Sequence, residues 1–265
     1  MFEEAIAFIR DRFSSNDFIP LHAPLFTGNE RKYVMDTIDT TFVSSVGAYV
    51  DLSEKMMSEI CQTQNAIAVV NGTSGLQISL LLAGVKKGDE VITQALTFIA
   101  TCNAIHYAGA SPVFIDVDKD TMGMSPSSLQ KFLEKNATKK NGITYNKTTG
   151  RRISGCLPMH TFGFPCRILE IAAICDAWGI TLIEDAAEAL GSYVNNKHTG
   201  TFGKFGTFSF NGNKIITTGG GGMIVTNDHI LAKHAKHIST TAKLPHAFNF
   251  VHDKIGYNYR MPNLN

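Results

Sequence analysis

A lysine set among glycines is the residue of this chain most open to covalent chemistry. Lys214 stands in FSFNGNKIITTGGGGM (208–223), between two apolar runs, with Gly212 before it and Gly219 to Gly222 after it. Glycines let the backbone fold tightly beside a bulky ligand. A primary amine held there can condense with an aldehyde and so ease transfer at a substrate amine. The same pattern is also that of a surface lysine in a glycine-rich hairpin, because lysine is usually exposed.

Three further stretches could serve such an amine. In VVNGTSGLQISLLLAG (69–84) a buried run ends at Asn71-Gly72 and a helical pattern starts at Thr73-Ser74. A helix N-terminus offers free N–H donors and the positive end of a dipole, which suits a phosphate. Ordinary N-capping by Thr73 or Ser74 accounts for the same residues. The loop fits neither GxxxxGK[ST] nor GxGxxG, so nucleoside triphosphate and dinucleotide binding find no support. In LIEDAAEALGS (182–192), Asp185 falls at the carboxyl end of an apolar strand, where open α/β sheets place ligands. It could pair with a protonated pyridine nitrogen and keep that ring electron-poor, or it could cap the following turn. In ALTFIATCNAIHYAG (95–109), Phe98 follows a strand end and could stack on a flat ring or fill the core.

The elements that must position these residues follow from hydrophobic periodicity. Strands are predicted at 65–70, 90–94, 112–117, 153–159 and 180–185, with helices at 74–83, 98–107, 126–134 and 167–177 between them. Such alternation predicts an α/β fold, a mainly parallel sheet with helices on both faces. GTFSF (206–210) and GGMIVT (221–226) read as two more strands at hairpin spacing, and 228–238 as a helix. Ahead of the first strand, the N-terminus reads as an amphipathic helix, followed by a connector marked by Pro20 and Pro24 and by helices at 29–38 and 51–60. Residues 136–152 are polar and rich in turn formers, and read as a surface insertion.

Composition narrows the function classes. With 24 basic and 23 acidic residues the net charge is +1, which gives no electrostatic reason to expect nucleic acid or an anionic membrane as partner. No run of about 18 apolar residues offers a membrane span. Five cysteines without a CxxC pair point away from a disulfide framework or zinc cluster and toward reduced thiols in a cytoplasmic protein. No metal site is expected.

Taken together and in this order, NGTSGL, ALTFIATCNAI, PVFIDVD, PMHTFGFP, IEDAAEALGS, GTFSFNGNKIITTGGGGM and GYNYRMPN make the chain resemble the DegT-type nucleotide-sugar aminotransferases, a family of fold-type I pyridoxal 5'-phosphate (PLP) enzymes. The likeness runs from about residue 20 to the end. Its wording is nearest the subgroup of bacillosamine-, legionaminate- and perosamine-type pathways.

The resemblance implies a PLP-binding large domain of the aspartate aminotransferase type over 26–245. A helix and connector over 1–25 precede it, and the start of a small domain over 246–265 follows. Members run about a third longer, so the remainder of that small domain is expected outside this sequence. Lys214 would be the catalytic lysine that holds PLP as a Schiff base, and Asp185 the partner of the ring nitrogen. Phe98 would be the stacking aromatic, Thr73, Ser74 and Ser209 the phosphate contacts, and Glu188 a residue near the ring. Asn258 would reach the phosphate of a neighbouring subunit, which implies a homodimer. His160 would lie near the substrate. Glutamate would give its amino group to a 4-keto-6-deoxy nucleotide sugar, yielding a 4-amino sugar. The alternatives are another PLP reaction, such as that of the related dehydratases, and a non-catalytic regulatory relative. The related dehydratases carry His where this chain has Lys214. Two positions depart from the common pattern: Gly220 stands where many members have Glu, and Lys204 where many have Asp.

Overall fold

Alternating apolar runs and helices fold into layers, as periodicity predicts. The computed structural model describes residues 2–265. Three helices come first: α1 (Glu3–Phe13), α2 (Glu30–Asp39) and α3 (Ala48–Cys61). Then β1 (Asn65–Val69), α4 (Gly72–Leu82), β2 (Glu90–Gln94), α5 (Ile99–Tyr107), β3 (Ser111–Ile115) and α6 (Pro126–Asn136) alternate. A hairpin of β4 (Ala137–Lys140) and β5 (Ile143–Asn146) follows, then β6 (Ile153–Leu157), α7 (Ile168–Trp178) and β7 (Thr181–Asp185). The small ladder of β8 (Tyr193–Val194) and β9 (Lys197–His198) leads to β10 (Phe205–Ser209), β11 (Gly222–Thr226) and α8 (His229–Ser239).

The main sheet has the order β1-β11-β10-β7-β6-β2-β3. Neighbours from β10 to β3 pair in parallel, while β11 runs antiparallel to both β10 and β1. Among the described residues, β11 is thus the one strand of this sheet that opposes the rest. β2, β6 and β11 are buried along their whole length, as strands covered on both faces must be. One apolar layer packs α4, α5 and α8 on the sheet through residues such as Ile78, Leu80, Ile105 and Ile224. On the other side Leu129, Leu133, Ile168 and Ile171 of α6 and α7 meet Ile92 and Ile153. Val50 and Met57 of α3 close a third cluster with Phe208 and Met223.

One local expectation gains detail and two change. The stretch 136–152 lies largely at the surface, as expected, and is folded into a hairpin. Its Asn141-Gly142 pair takes positive φ at both positions, the hairpin turn that this dipeptide favours, and it joins β4 to β5. Most of its polar residues face solvent, but Asn146 at its end turns inward: Asn146 Nδ2 donates to Glu90 Oε2 at 2.9 Å, and Thr149 Oγ1, just beyond the hairpin, donates to Glu90 Oε1 at 2.8 Å. Next, α4 begins at Gly72, with Asn71 rather than Thr73 or Ser74 as its N-cap. Finally, α1 forms but buries none of its residues; Ile6, Ile9 and Phe13 are exposed, so its apolar stripe is not packed on the sheet.

Candidate active site

Six of the large-sheet strands point their carboxyl ends to one edge, and the candidate residues collect there. A cleft of about 300 Å³ is lined by Thr73, Phe98, Asp185, Glu188, Ser209 and Lys214, together with Asn71, Met159 and Asn213. They come from the ends of five strands, β1, β2, β6, β7 and β10, or from the turns behind them. Ligands bind at such edges because the loops there are free to vary while the sheet holds their roots.

The phosphate-like end is built by α4. Asn71 Oδ1 accepts the N–H of Ser74 at 2.8 Å, which leaves the N–H groups of Gly72 and Thr73 at the helix start for a ligand. Ser209, the last residue of β10, stands over the same turn. A Cβ on Gly72 would lie 3.0 Å from Ser209 Cβ, so glycine lets the two segments close up. Within the glycine run, a Cβ on Gly221 would meet the Thr218 and Met261 side chains, and Gly222 is closed in by backbone. A Cβ there would meet backbone atoms of Asn71, Gly72 and Phe208 at 2.7 to 2.8 Å, whereas Gly212 and Gly219 have open space. Glycine is thus required at Gly222 by the backbone behind the helix N-terminus, and not at Gly212 or Gly219 by crowding around the lysine.

At the floor lies Asp185, 3% exposed. Its Oδ2 accepts from Thr101 Oγ1 at 2.7 Å and its Oδ1 from the N–H of Ala187 at 3.2 Å. Burial pushes its pKa up, and the two hydrogen bonds and the charges of Lys214 and His160 work against that push. A buried carboxylate in this state is stabilised by a cation placed at its open side.

Lys214 reaches into the cleft, not into solvent. Its side chain is 10% exposed and its Nζ donates to Glu188 Oε1 at 2.7 Å. The same nitrogen lies 5.9 Å from the centroid of the Phe98 ring. Phe98 is the N-cap residue of α5 and is 68% exposed, so it forms an open wall and not part of the core.

Three expected residues do not line this cleft. Ser74 is buried in the first turn of α4. Asn258 is exposed: the segment around it lies on the sheet through the carbonyl of Tyr259, which accepts from Val70 N at 2.8 Å, and Asn258 is not among the residues lining the cleft. His160 has no exposed surface and cannot touch a substrate in this arrangement. Its Nε2 bonds Glu184 Oε2 at 3.0 Å, and its Nδ1 accepts the N–H of Cys166 at 3.3 Å. Glu184, equally buried, also accepts the N–H groups of Gly200, Phe202 and Gly203 at 2.6 to 2.8 Å. This hub ties β7 to the loop before β10 directly beneath Asp185. Sequence reading missed Thr101, Asn71 and Glu184. Thr101 and Phe98 are three apart in a helical stretch, the spacing of one helix face.

These features fit a phosphorylated aldehyde with a protonable ring: an anion site, a buried carboxylate that lines the cleft, an amine and an open aromatic face. The sequence pattern of the DegT/DnrJ/EryC1/StrS aminotransferase family matches residues 25–265. The chain belongs to this family. EpsN of Bacillus subtilis, whose name describes a pyridoxal phosphate-dependent aminotransferase, is 41% identical over 246 residues, covering 93% of the chain and 61% of EpsN. GDP-perosamine synthase of Escherichia coli O157:H7 is 41% identical over 247 residues, 93% of the chain and 63% of that relative. Among solved structures, the aminotransferase from Psychrobacter cryohalolentis superposes with a TM-score of 0.81 at 30% identity, over 94% of the chain and 61% of that protein. The chain thus spans about three-fifths of the length of these family members. The fold is that of their sheet-and-helix part. Among the described residues no helix is long and apolar enough to cross a membrane, and no cluster of His, Cys, Asp and Glu is placed to hold a metal ion.

Proposed function

We propose that this chain carries the cofactor site of a PLP-dependent aminotransferase acting on a nucleotide sugar. The observation that carries the reading is the position of Lys214 Nζ, inside the cleft that also holds Asp185 and the N-terminus of α4. When bound, PLP supplies an electron-poor ring that stabilises negative charge beside the amine-bearing carbon. The free N–H groups of α4, Thr73 and Ser209 hold the phosphate, with Ser74 supporting the turn from within. Asp185 would pair with a protonated ring nitrogen, and Phe98 would offer its open face to the ring. Lys214, when its amine is free, would hold and move the proton at Cα of the amino donor, acting in turn as base and acid. Glu188 holds the lysine amine in the cleft whenever that amine is not covalently engaged.

The finer reading takes glutamate as donor and a 4-keto-6-deoxy nucleotide sugar as acceptor, giving a 4-amino sugar. It rests on the resemblance and on relatives such as GDP-perosamine synthase. The same resemblance proposes a homodimer in which Asn258 serves the neighbouring copy, and a division into 1–25, 26–245 and 246–265. Incubating the PLP-loaded protein with glutamate and separate GDP- and UDP-linked 4-keto sugars tests the reading. A 4-amino product is expected from one of them. Amino transfer among simple amino acids alone, with no sugar product, would overturn it.

A further inference from the structure

We propose that Thr101, seconded by Thr97, is the positioning residue that fixes the carboxylate of Asp185 for a cationic ring nitrogen. The proposal rests on reading the cleft as a PLP site.

Thr101 is fully buried in the first turn of α5. Its Oγ1 lies 2.7 Å from Asp185 Oδ2 and 2.7 Å from Thr97 Oγ1, and Thr97 Oγ1 in turn lies 3.2 Å from Met159 Sδ. Each hydroxyl has one proton to give. An ionised Asp185 only accepts, so the proton of Thr101 goes to it and Thr101 then accepts from Thr97. The proton of Thr97 is spent there, and its contact with Met159 is not a hydrogen bond. A protonated Asp185 permits the reverse order: carboxyl to Thr101, Thr101 to Thr97, and Thr97 to the weakly accepting sulfur. The ionised state ends the chain on a charge-assisted bond, and the neutral state ends it on a thioether, so the wire favours the ionised carboxylate.

Geometry gives the wire a second task. Oδ1 is held by the N–H of Ala187 and Oδ2 by Thr101, so the plane of the carboxylate is set from two sides. The charged groups acting on it are Lys214 and His160. Neither is bonded to the carboxylate among the described residues. Phe98 sits at the head of the same helical turn, so one turn of α5 positions both the ring's wall and the group that meets its nitrogen.

Thr101→Val removes the donor at nearly constant shape, and Thr101→Ser keeps it. Two readouts apply. In the cofactor-free protein, 13C NMR of labelled aspartate follows the titration of Asp185. In the loaded protein, absorbance titration compares PLP with 1-deaza-PLP, in which CH replaces the ring nitrogen. Thr101→Val is expected to move the Asp185 midpoint up and to weaken PLP about tenfold, as loss of one hydrogen bond to a charged group predicts, with deaza-PLP unchanged. Thr101→Ser is expected to restore both, and Thr97→Val to give a smaller change of the same sign. Equal weakening of PLP and deaza-PLP, or an unmoved midpoint, would overturn the assignment. If the unaltered protein took up neither compound, the cofactor reading itself would fall, and the midpoint alone would decide the role of Thr101.

Discussion

The two walls of the cleft are built on opposite principles. The Asp185 wall is buried, hydrogen-bonded at both carboxylate oxygens and braced from below by Glu184, which gathers four donors. The Lys214 wall is the loop 210–221, with Ile215 and Ile216 exposed and with open space around Gly212 and Gly219. Its lysine is held by one carboxylate, Glu188. A group that only stabilises charge gains from rigidity, since preorganised dipoles need not reorganise as charge develops. A group that must form and release a bond and carry protons needs room to swing. The contrast teaches that the carboxylate is placed by the fold and the amine by a loop.

Substitutions on the two walls should therefore fail differently. The largest effect is expected from Lys214→Ala. Turnover should drop by about 10²–10⁴-fold or more, the scale of lost acid–base catalysis, while the melting temperature stays near that of the parent. Steady-state kinetics and a thermal melt check this. Asp185→Asn should lower the rate by about 10²–10³-fold, the scale of one lost electrostatic contact in a reaction centre.

Asp185→Asn should also change stability in the other direction. Burial raises the folded-state pKa of Asp185, so its contribution favours the fold at low pH and is lost as pH rises and the charge must be buried. In the cofactor-free protein, Asp185→Asn should raise the melting temperature at neutral pH, with the gain shrinking on acidification. A melt series across pH would break the comparison if the gain were flat.

Glu184→Ala strikes the brace. It leaves the N–H groups of Gly200, Phe202 and Gly203 and the imidazole of His160 without their acceptor, at a cost of about 3–5 kcal/mol, measurable by urea unfolding. On the lysine loop, Gly219→Ala should cost only about 1 kcal/mol. The residue has φ of +76°, which disfavours a Cβ, but nothing crowds it. Equal losses from these two changes would erase the difference between the walls.

The sequence carried the contrast unevenly. The parallel strands were legible because each is a short apolar run, and β2 was predicted with its observed bounds, Glu90–Gln94. Lys214, Asp185, Phe98 and Thr73 were nameable because reactive groups at strand ends follow a recognisable order, and Ser209 and Glu188 only through the family resemblance. The brace was not. Glu184 reads as an ordinary strand residue until the loop 200–203 turns its N–H groups inward, and that turn is a tertiary event. The β4–β5 hairpin was hidden for a related reason: its composition is polar and largely solvent-facing, and the one residue that turns inward to Glu90, Asn146, does so through a tertiary contact. Its Asn-Gly turn signal was nonetheless present. Asn71 lost the N-cap to its neighbours on paper because threonine and serine cap about as well, and only backbone dihedrals separate them.

The most direct test is to incubate the protein with PLP, reduce with borohydride, digest it and map the modified peptide by mass spectrometry. The cofactor mass is expected on Lys214, with none on Lys204 or Lys197, and no labelling in Lys214→Ala. Label spread over surface lysines, or full labelling that survives the loss of Lys214, would contradict the placement of the reactive amine on this loop.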